Sequence, residues 1–406
     1  MRVAFVVNDL QMSGGVGVVV EHARQLAGRH GFEVDLVLAR DQEEPSWRFP
    51  GLGDVPVHGM DRARSGDYDV AVATWWETVG PALELPAGRH AYFVQSLEDR
   101  FYRPHEAQRL AAALTHDVPL HVITEARWIA ETLEALAPAR RCLLVRNGIA
   151  KDVFASPAAP PVRGEEPLRI LVEGDPEVWF KGVPEALAAT RSMSAPHVVT
   201  AVTPRGRALD GVDVALGPLS QRELAATYGE ADVVLKLSRV EGMSGPPLEG
   251  FHMGATCVIT GVTGHEEYVV HGENGLVVDW DDVRGAARAL DLLARDHALL
   301  HRLRWGALAT AKGWPSWEQQ GAVMAAALRA IARRPPRPSG PFDARLLAEL
   351  RGGIEGHALV AAERDLLRWR LAPMLAVDRA LERPAVRWLS RPARRTWGAA
   401  RRRVKR

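Results

Sequence analysis

The sequence predicts an α/β protein built from two doubly wound domains that face a cleft, followed by a basic helical tail. Short apolar runs alternate with helical patterns through most of the 406 residues. This alternation occurs as two series, and a proline- and charge-rich stretch at residues 156–167 separates them. Residues 335–406 carry 17 Lys and Arg against 7 Asp and Glu, a net charge of +10 in a chain whose total is +1. The tail is therefore chemically distinct from the remainder, whose net charge is −9.

The first series predicts an N-terminal, Rossmann-like domain over residues 1–155. It opens with the run VAFVV, a glycine cluster and a helical pattern, which is the order of a first nucleotide-binding unit. The glycine cluster reads GGVG rather than GxGxxG, so by itself it indicates only that something polar approaches the backbone. The later apolar runs predict parallel strands with helices between them: FEVDLVLAR, YDVAVAT, HAYFVQ, LHVIT and CLLVRNG.

The second series predicts another Rossmann-like domain over residues 166–314. Its apolar runs are LRILVEG, HVVTAVT, ADVVLKL, TCVIT and GLVVD. Two such domains joined by a hinge enclose a cleft at the carboxyl ends of their strands, where doubly wound sheets bind ligands. With 47% apolar residues, the chain can fill two sizeable cores.

The stretch SRVEGMSGPPLEG places Glu241 and Glu249 on either side of a turn of small residues, directly after the apolar run ADVVLKL. The two prolines suit the first turn of a helix, so residues 242–245 would present backbone N–H groups at its positive end. Carboxylates beside this turn would accept hydrogen bonds from sugar hydroxyls and would repel phosphate. A phosphate partner is therefore expected elsewhere, and Lys181 in WFKGV is the candidate. The alternative is an acidic helix start without a ligand.

The segment SRVEGMSGPPLEGFHMGATCVITGVTGHEEYVVHGENGLVV resembles the donor-binding signature of the family-four, retaining nucleotide-sugar glycosyltransferases of the GT-B fold. The resemblance covers roughly residues 1–332, and its E-x7-E spacing is more specific than a short motif. It implies a helix at residues 316–332 that returns to the first domain. It also implies a nucleotide-diphosphate sugar as co-substrate, with no bound cofactor.

The resemblance further implies a role for each position of the donor site. Glu241, with the backbone of Gly242, Met243 and Ser244, would hold the transferred sugar. Glu249 would hold the ribose of the nucleotide. Lys181 would bind the diphosphate, and the glycine loop of the first domain would close over it through two residues, Gly15 and Val16.

The sequence departs from the family pattern at the diphosphate site. The family commonly has Arg after the glycine that ends the strand before Lys181, whereas this chain has Asp175. An acid there would oppose phosphate by like charge. Arg205 or Arg239 would be a substitute, although each is equally interpretable as a solvated surface charge.

A second departure concerns the first domain, where the family usually has a His in the catalytic site. The corresponding strand end reads FVQSLEDRFY. Gln95 would orient a hydroxyl or serve only as a structural amide, and Glu98 or Asp99 would be a base if it points into the cleft. His265 in TGHEEYVV lies near the donor loop in sequence and would contact phosphate or sugar.

Other features limit the function classes. Two DxD matches lie in ordinary polar turns and no Cys or His spacing suits a metal, so no metal site is predicted. Two cysteines, an N-terminus that reads as a first strand and the lack of a long apolar run predict a cytoplasmic protein. In the tail, tryptophans interleaved with arginines favour peripheral contact with an anionic membrane. The alternatives are an inert tail or a protein or nucleic-acid partner, although nucleic acid is disfavoured.

These observations predict a glycosyltransferase that moves a sugar from a nucleotide diphosphate to a hydroxyl acceptor, lipid-linked or free, with retention of configuration. Several segments are similar in sequence to those of bacterial enzymes that transfer rhamnose into surface polysaccharides. This resemblance favours dTDP-rhamnose as the donor. Two alternatives use the same fold. One is a sugar-nucleotide epimerase, and the other is a non-catalytic subunit that binds sugar nucleotides.

Overall fold

The computed structural model describes residues 1–40, 49, 51–162, 166–335 and 352. Met1–Leu347 forms one compact unit, and Ala348–Arg406 forms a second. Except for Pro335 and Gly352, the predicted basic tail lies outside the described residues.

Seven parallel strands form the first sheet of the described chain, in the order β3-β2-β1-β4-β5-β6-β7. Their apolar residues lie in alternation on both faces of the sheet and are buried there, as expected for a parallel sheet covered on both sides. The strands are β1 (Arg2–Val7), β2 (Glu33–Leu38), β3 (Val57–Gly59), β4 (Tyr68–Ala73), β5 (Ala87–Val94), β6 (His121–Thr124) and β7 (Leu143–Leu144). Because β1 pairs with both β2 and β4, the strand order reverses between β1 and β4.

Helices cover both faces of this sheet and bury an apolar cluster on each face. They are α1 (Gly14–His30), α2 (Met60–Ala63), α3 (Val79–Glu84), α4 (Ala107–Thr115) and α5 (Arg127–Leu136). The longest, α1, begins where Ser13 Oγ accepts a hydrogen bond from the Val16 backbone N–H at 3.2 Å. It ends at Gly31, whose positive φ of 67° stops the helix.

The second sheet is also parallel and has six strands among the described residues, in the order β10-β9-β8-β11-β12-β13. The strands are β8 (Leu168–Glu173), β9 (His197–Val202), β10 (Val214–Leu216), β11 (Val233–Lys236), β12 (Thr256–Thr260) and β13 (Gly275–Val278). The helices are α6 (Val183–Arg191), α7 (Gln221–Glu230), α8 (Gly245–His252), α9 (Val283–Arg295) and α10 (His297–Gly313). Here the strand order reverses between β8 and β11, which pair directly.

The last described helix, α11 (Trp317–Arg333), returns to the first domain. Ser316 Oγ caps it, and its apolar face joins the first core through Met324, Leu328 and Ile331. His22 of α1 packs edge-on against Trp317 at 5.2 Å between ring centroids. The first domain is thus built from two separated parts of the chain.

Two strands of the structure have no counterpart among the predicted ones. They are β3 and β10, which have three residues each and lie at the edges of their sheets. Within the described residues, no helix is both long enough and apolar enough to cross a membrane.

Candidate functional site

The two points of strand reversal face each other across a cleft, because loops from the carboxyl ends of both sheets are in contact. Trp128 Nε1 of the first domain donates a hydrogen bond to the Gly242 carbonyl at 2.7 Å, and Trp179 Nε1 of the second donates to the Phe101 carbonyl at 3.1 Å. Gly242 lies so close to the first domain that a Cβ there would overlap the Gln95 carbonyl oxygen. A crevice of this kind is where doubly wound domains bind ligands.

Lys181 and Glu241 form an ion pair in this cleft. Lys181 lies in the loop between β8 and α6, and Glu241 lies in the loop between β11 and α8, so the reversal of the second sheet brings them together. The Lys181 Nζ is 3.1 Å from both carboxylate oxygens of Glu241. The side chain of Lys181 is 30% exposed, whereas that of Glu241 is 10% exposed.

A second lysine, which the sequence analysis did not identify, also faces Glu241. Lys236 is the last residue of β11, and its Nζ lies 3.9 Å from Glu241 Oε1. Burial by itself would raise the pKa of Glu241, but attraction to Lys181 and then to Lys236 outweighs it, and the pKa is lowered. Glu241 is therefore a buried carboxylate that stays ionised at neutral pH. A charged residue inside an apolar strand run is the sequence signal for Lys236.

The loop after Glu241 leads into α8, and its polar groups point to hydroxyl binding. Ser244 is the residue before the helix, and its buried Oγ has no hydrogen-bond partner among the described residues. The Ser244 carbonyl accepts from Tyr268 OH at 2.5 Å, which fixes the loop. Glu249 lies one turn into the helix, where burial and then repulsion by Glu173 raise its pKa to about 7. Gly242, Met243 and Ser244 follow Glu241 directly in the chain, and Glu249 acts electrostatically on Lys236, which contacts Glu241.

On the first-domain side, the structure brings Gly15, Val16 and Gln95 together at the cleft. Gly15 and Val16 form the first turn of α1, whose N-terminal amides attract anions. A Cβ at Gly15 would lie 3.4 Å from Gln95 Oε1, so this amide packs beneath the glycine loop. Gln95 Nε2 donates to the Thr74 carbonyl at 3.4 Å. The amide is consistent with either predicted role.

Glu125 is another cleft residue that the sequence analysis did not identify. It follows β6 and is 4% exposed, and its Oε2 accepts from Asn147 Nδ2 at 2.9 Å. Burial raises its pKa to about 8, and repulsion by Glu241 adds to this, although hydrogen bonds from Asn147 and the Met243 backbone oppose it. Glu125 therefore lies against the donor loop as a largely protonated acid at neutral pH. In the sequence, an acid between a strand and a helix is also what an ordinary helix start shows, so Glu125 carries no distinctive local signal.

Glu98 does not point into the cleft, so the prediction of a base at this position was wrong. It lies in a 3-10 turn, is 1% exposed and accepts hydrogen bonds from the Trp76 backbone and from Tyr92 OH inside the first domain. Burial raises its pKa to about 8. Tyr92 and the Trp76 backbone hold the carboxyl inside the first domain instead of presenting it to a substrate.

The two arginines proposed to replace the missing cation are both bound to acids. Arg205 is at the surface and pairs with Glu177 at 3.0 Å. Arg239 pairs with Glu185 at 2.9 Å and with Asp281 at 2.5 Å. Neither guanidinium lies in the Lys181 and Glu241 cluster that the structure describes, because local carboxylates hold both.

His265 lies in the loop after β12, which packs against the donor loop. Its Nδ1 is 2.7 Å from the Val262 carbonyl and 3.3 Å from Glu266 Oε2. A Cβ at the preceding Gly264 would overlap the Gly242 carbonyl oxygen. His265 is thus next to the donor loop, with one ring nitrogen engaged by the backbone.

Aromatic rings from both domains line the cleft near Lys181. Trp75 after β4 stacks on Phe101 at 5.7 Å between centroids, and Phe101 contacts Phe180 of the second domain at 4.9 Å. The neighbouring Trp76 is 6% exposed and belongs to the interior of the first domain. Among the described residues, no group of three or more His, Cys, Asp or Glu side chains is arranged to hold a metal ion.

Comparisons with known proteins agree with this geometry. Residues 169–296, which contain Lys181, Glu241 and Glu249, match the family model Glycosyl transferases group 1. The chain is also similar to solved structures, including Anabaena Alr3699/HepE in complex with UDP and glucose. That likeness has a TM-score of 0.64 at 14% identity and covers 81% of this chain and 100% of that one. The fold is GT-B. The predicted fold class is thereby confirmed.

Two curated relatives are similar at the level of sequence. The O-antigen biosynthesis protein RfbC of Myxococcus xanthus is 26% identical over 329 residues, which are 75% of this chain and 25% of that protein. A glycogen synthase of Mycobacterium tuberculosis is 25% identical over 311 residues, which are 69% of this chain and 73% of that protein. This chain thus spans about a quarter of the length of RfbC. Both the fold and the family match are those of glycosyltransferases.

Proposed function

We propose that the chain transfers a glycosyl group from a nucleotide-diphosphate sugar to a hydroxyl acceptor, with retention, in the synthesis of a polysaccharide or another glycoconjugate. The observation that carries the proposal is the Lys181 and Glu241 pair at the strand reversal of a domain that matches the family model Glycosyl transferases group 1. The UDP and glucose in the similar HepE structure support a nucleotide-sugar donor. The O-antigen relative supports a polysaccharide product.

In this proposal, each residue of the cleft binds a different part of the donor. Glu241 and the amides after it bind hydroxyls of the sugar, Glu249 binds the ribose, and Lys181 binds the diphosphate. The N-terminal amides of α1 at Gly15 and Val16 add positive potential from the other domain. A metal ion is not needed for this charge balance, so we expect transfer to persist in a chelator.

The reaction breaks the bond between the anomeric carbon and the diphosphate oxygen and forms a bond from the same carbon to the acceptor oxygen. For a same-face reaction, the proton of the acceptor hydroxyl goes to the departing diphosphate, so no side-chain nucleophile is needed. The protein contributes position and electrostatic stabilisation of the diphosphate charge. The aromatic rings of Trp75 and Phe101 offer an apolar surface for the acceptor.

The test is product analysis by mass spectrometry with a panel of UDP-, GDP- and dTDP-sugars, each with and without hydroxyl acceptors. Transfer to an acceptor with release of the nucleoside diphosphate is the expected result. Isomerised or hydrolysed donor without an acceptor product would identify an epimerase. Tight donor binding without any product would identify a binding subunit. The stereochemistry of the new bond decides whether configuration is retained.

Two finer parts of the proposal concern the donor and the location. The first donor to test is dTDP-rhamnose, and the first acceptors are lipid-linked glycans. The basic tail at residues 335–406 would hold the enzyme on the inner face of the cell membrane. Co-sedimentation with vesicles should then require anionic lipid and should be lost when the chain is truncated after Arg334. Equal binding by both forms would contradict the membrane role.

A further inference from the structure

Lys236 is a buried charge at the carboxyl end of an otherwise apolar strand. Its side chain is 2% exposed, and lysine is almost never buried to this extent without a partner. The Nζ donates hydrogen bonds to the Glu173 carbonyl at 3.1 Å and to Glu173 Oε2 at 3.2 Å. A Cβ built on Gly174 would lie 3.8 Å from this Nζ, so Lys236 is held directly beneath the end of β8.

The surroundings of Lys236 contain more acids than cations. Glu173, Glu241 and Glu249 all act electrostatically on Lys236, and Lys181 is the other cation in contact with Glu241. Burial by itself would lower the pKa of Lys236, but attraction to Glu173 and Glu241 outweighs it and raises the pKa. Lys236 is therefore a permanent positive charge at this end of the sheet.

The two lysines that contact Glu241 differ in how far their side chains are able to move. Lys181 lies on a loop, is 30% exposed and can turn toward a phosphate in the cleft. Lys236 lies on a strand, is 2% exposed and is anchored by a backbone carbonyl. If Lys181 turned to a diphosphate, Glu241 would lose its nearest cation. Lys236 would remain.

We propose that Lys236 is a positioning residue that keeps Glu241 ionised and oriented toward the donor sugar when Lys181 engages the diphosphate. The proposal rests on the proposed function of the site. In this proposal, Lys181 moves to the diphosphate and Lys236 stays beside Glu241.

The test compares Lys236→Met with the double variant Lys236→Met/Glu173→Gln, which removes both charges of the buried pair and protects the fold. Glu173→Gln alone is the matched control. Steady-state kcat and KM for the donor are measured from about pH 4 to 8, and binding of the nucleoside diphosphate alone is measured by calorimetry. The pKa of Glu241 is read independently of turnover by carbon NMR of labelled glutamate, with Glu241→Gln for assignment.

We expect the acid limb of kcat to move up by about one pH unit or more in both Lys236 variants, so that the loss of kcat approaches about 10-fold at the acid end of the range and is smaller at pH 7. The affinity for the nucleoside diphosphate should change less than about threefold, because Lys236 does not reach it. The control should keep the wild-type acid limb. The NMR pKa of Glu241 should rise in both Lys236 variants.

An unchanged pKa of Glu241 in the folded double variant would overturn the proposal. Equal loss of kcat at every pH would indicate a merely structural lysine, and loss of affinity as large as the loss of kcat would indicate a direct phosphate contact. Either result would contradict the positioning role of Lys236. If the wild type binds no nucleoside diphosphate, the proposed function fails, and the NMR pKa still decides the role of Lys236.

Discussion

Buried carboxyl groups on the two sides of the cleft have opposite electrostatic surroundings. On the second-domain side, Glu241 contacts two lysines and its pKa is lowered. In the first domain, Glu98 in the interior and Glu125 at the cleft lack a lysine or arginine contact in the structure described, and burial raises the pKa of each to about 8. Glu249 lies between these cases, since burial and repulsion by Glu173 raise its pKa to about 7 although Tyr228 and Lys236 lower it.

This difference distinguishes Glu241, the acid that the proposed function assigns to the donor, from the other buried carboxyl groups. Burial alone turns a glutamate into a neutral acid at pH 7, which accepts hydrogen bonds weakly. A fixed lysine turns a similarly buried glutamate into a strong acceptor for hydroxyl groups.

Lys181→Ala should have the largest effect because it removes the mobile cation of the donor side. If Lys181 is the main cation on the diphosphate, the loss of transition-state stabilisation should be about 2–4 kcal/mol, or roughly 30- to 1,000-fold in kcat/KM. Steady-state kinetics with the active donor measure the change. Turnover like that of the wild type would remove Lys181 from the site.

Glu241→Gln should impair transfer more than nucleotide binding, because the proposed function assigns this side chain to the sugar and not to the phosphates. A hydrogen bond to a charged group is worth about 1.5–3 kcal/mol, so kcat should fall roughly 10- to 150-fold. The dissociation constant of the nucleoside diphosphate, measured by calorimetry, should stay near that of the wild type. A parallel loss of both would assign Glu241 to the nucleotide instead.

Much of the fold follows from the sequence because buried parallel strands are continuous apolar runs. The predicted runs of both series appear as strands. The helix predicted to return to the first domain appears as α11. The two strands that were missed, β3 and β10, are short edge strands with partly exposed residues. Such strands carry little apolar pattern, and their place depends on the neighbouring strand rather than on their own residues.

The site was predictable only where local sequence determines geometry. Glu241 and Glu249 are fixed by the turn and helix between them, so their spacing predicted their neighbourhood. Lys236 and Glu125 acquire their environments from other strands and from the opposite domain, which no local pattern reveals. For the same reason, burial of Glu98 and the acidic partners of Arg239 became visible only in three dimensions.

Glu125→Gln should remove a pH dependence of stability that belongs to the first-domain side. A carboxyl whose pKa rises from 4.5 to about 8 on folding stabilises the fold fully below pH 4.5, and this contribution is lost as the pH rises to 8. The wild type should therefore lose up to about 1.4 kcal/mol per pH unit from this group between these limits. Gln resembles the neutral acid, so the variant should show a shallower slope and near-normal transfer below pH 7.

Thermal or urea unfolding from pH 5 to 9 measures this slope, and Glu98→Gln is a matched variant inside the same domain. A Glu125→Gln protein with the slope of the wild type would mean that the carboxyl is ionised in the fold. That outcome would remove the contrast between the two sides of the cleft.

Arg205→Ala should have the smallest effect. It tests whether Arg205 is a second cation on the phosphate or only a surface charge. The guanidinium is 57% exposed, and its partner Glu177 is 61% exposed, so the pair is a surface ion pair of little energetic weight. Donor kcat/KM should change less than about twofold. Arg205 nevertheless follows β9, the strand next to β8, and therefore lies on the sheet edge from which a second phosphate cation would be expected. A loss above about 10-fold with weaker nucleotide binding would place that cation at Arg205, and the asymmetry of the cleft would then depend on a surface loop rather than on buried lysines.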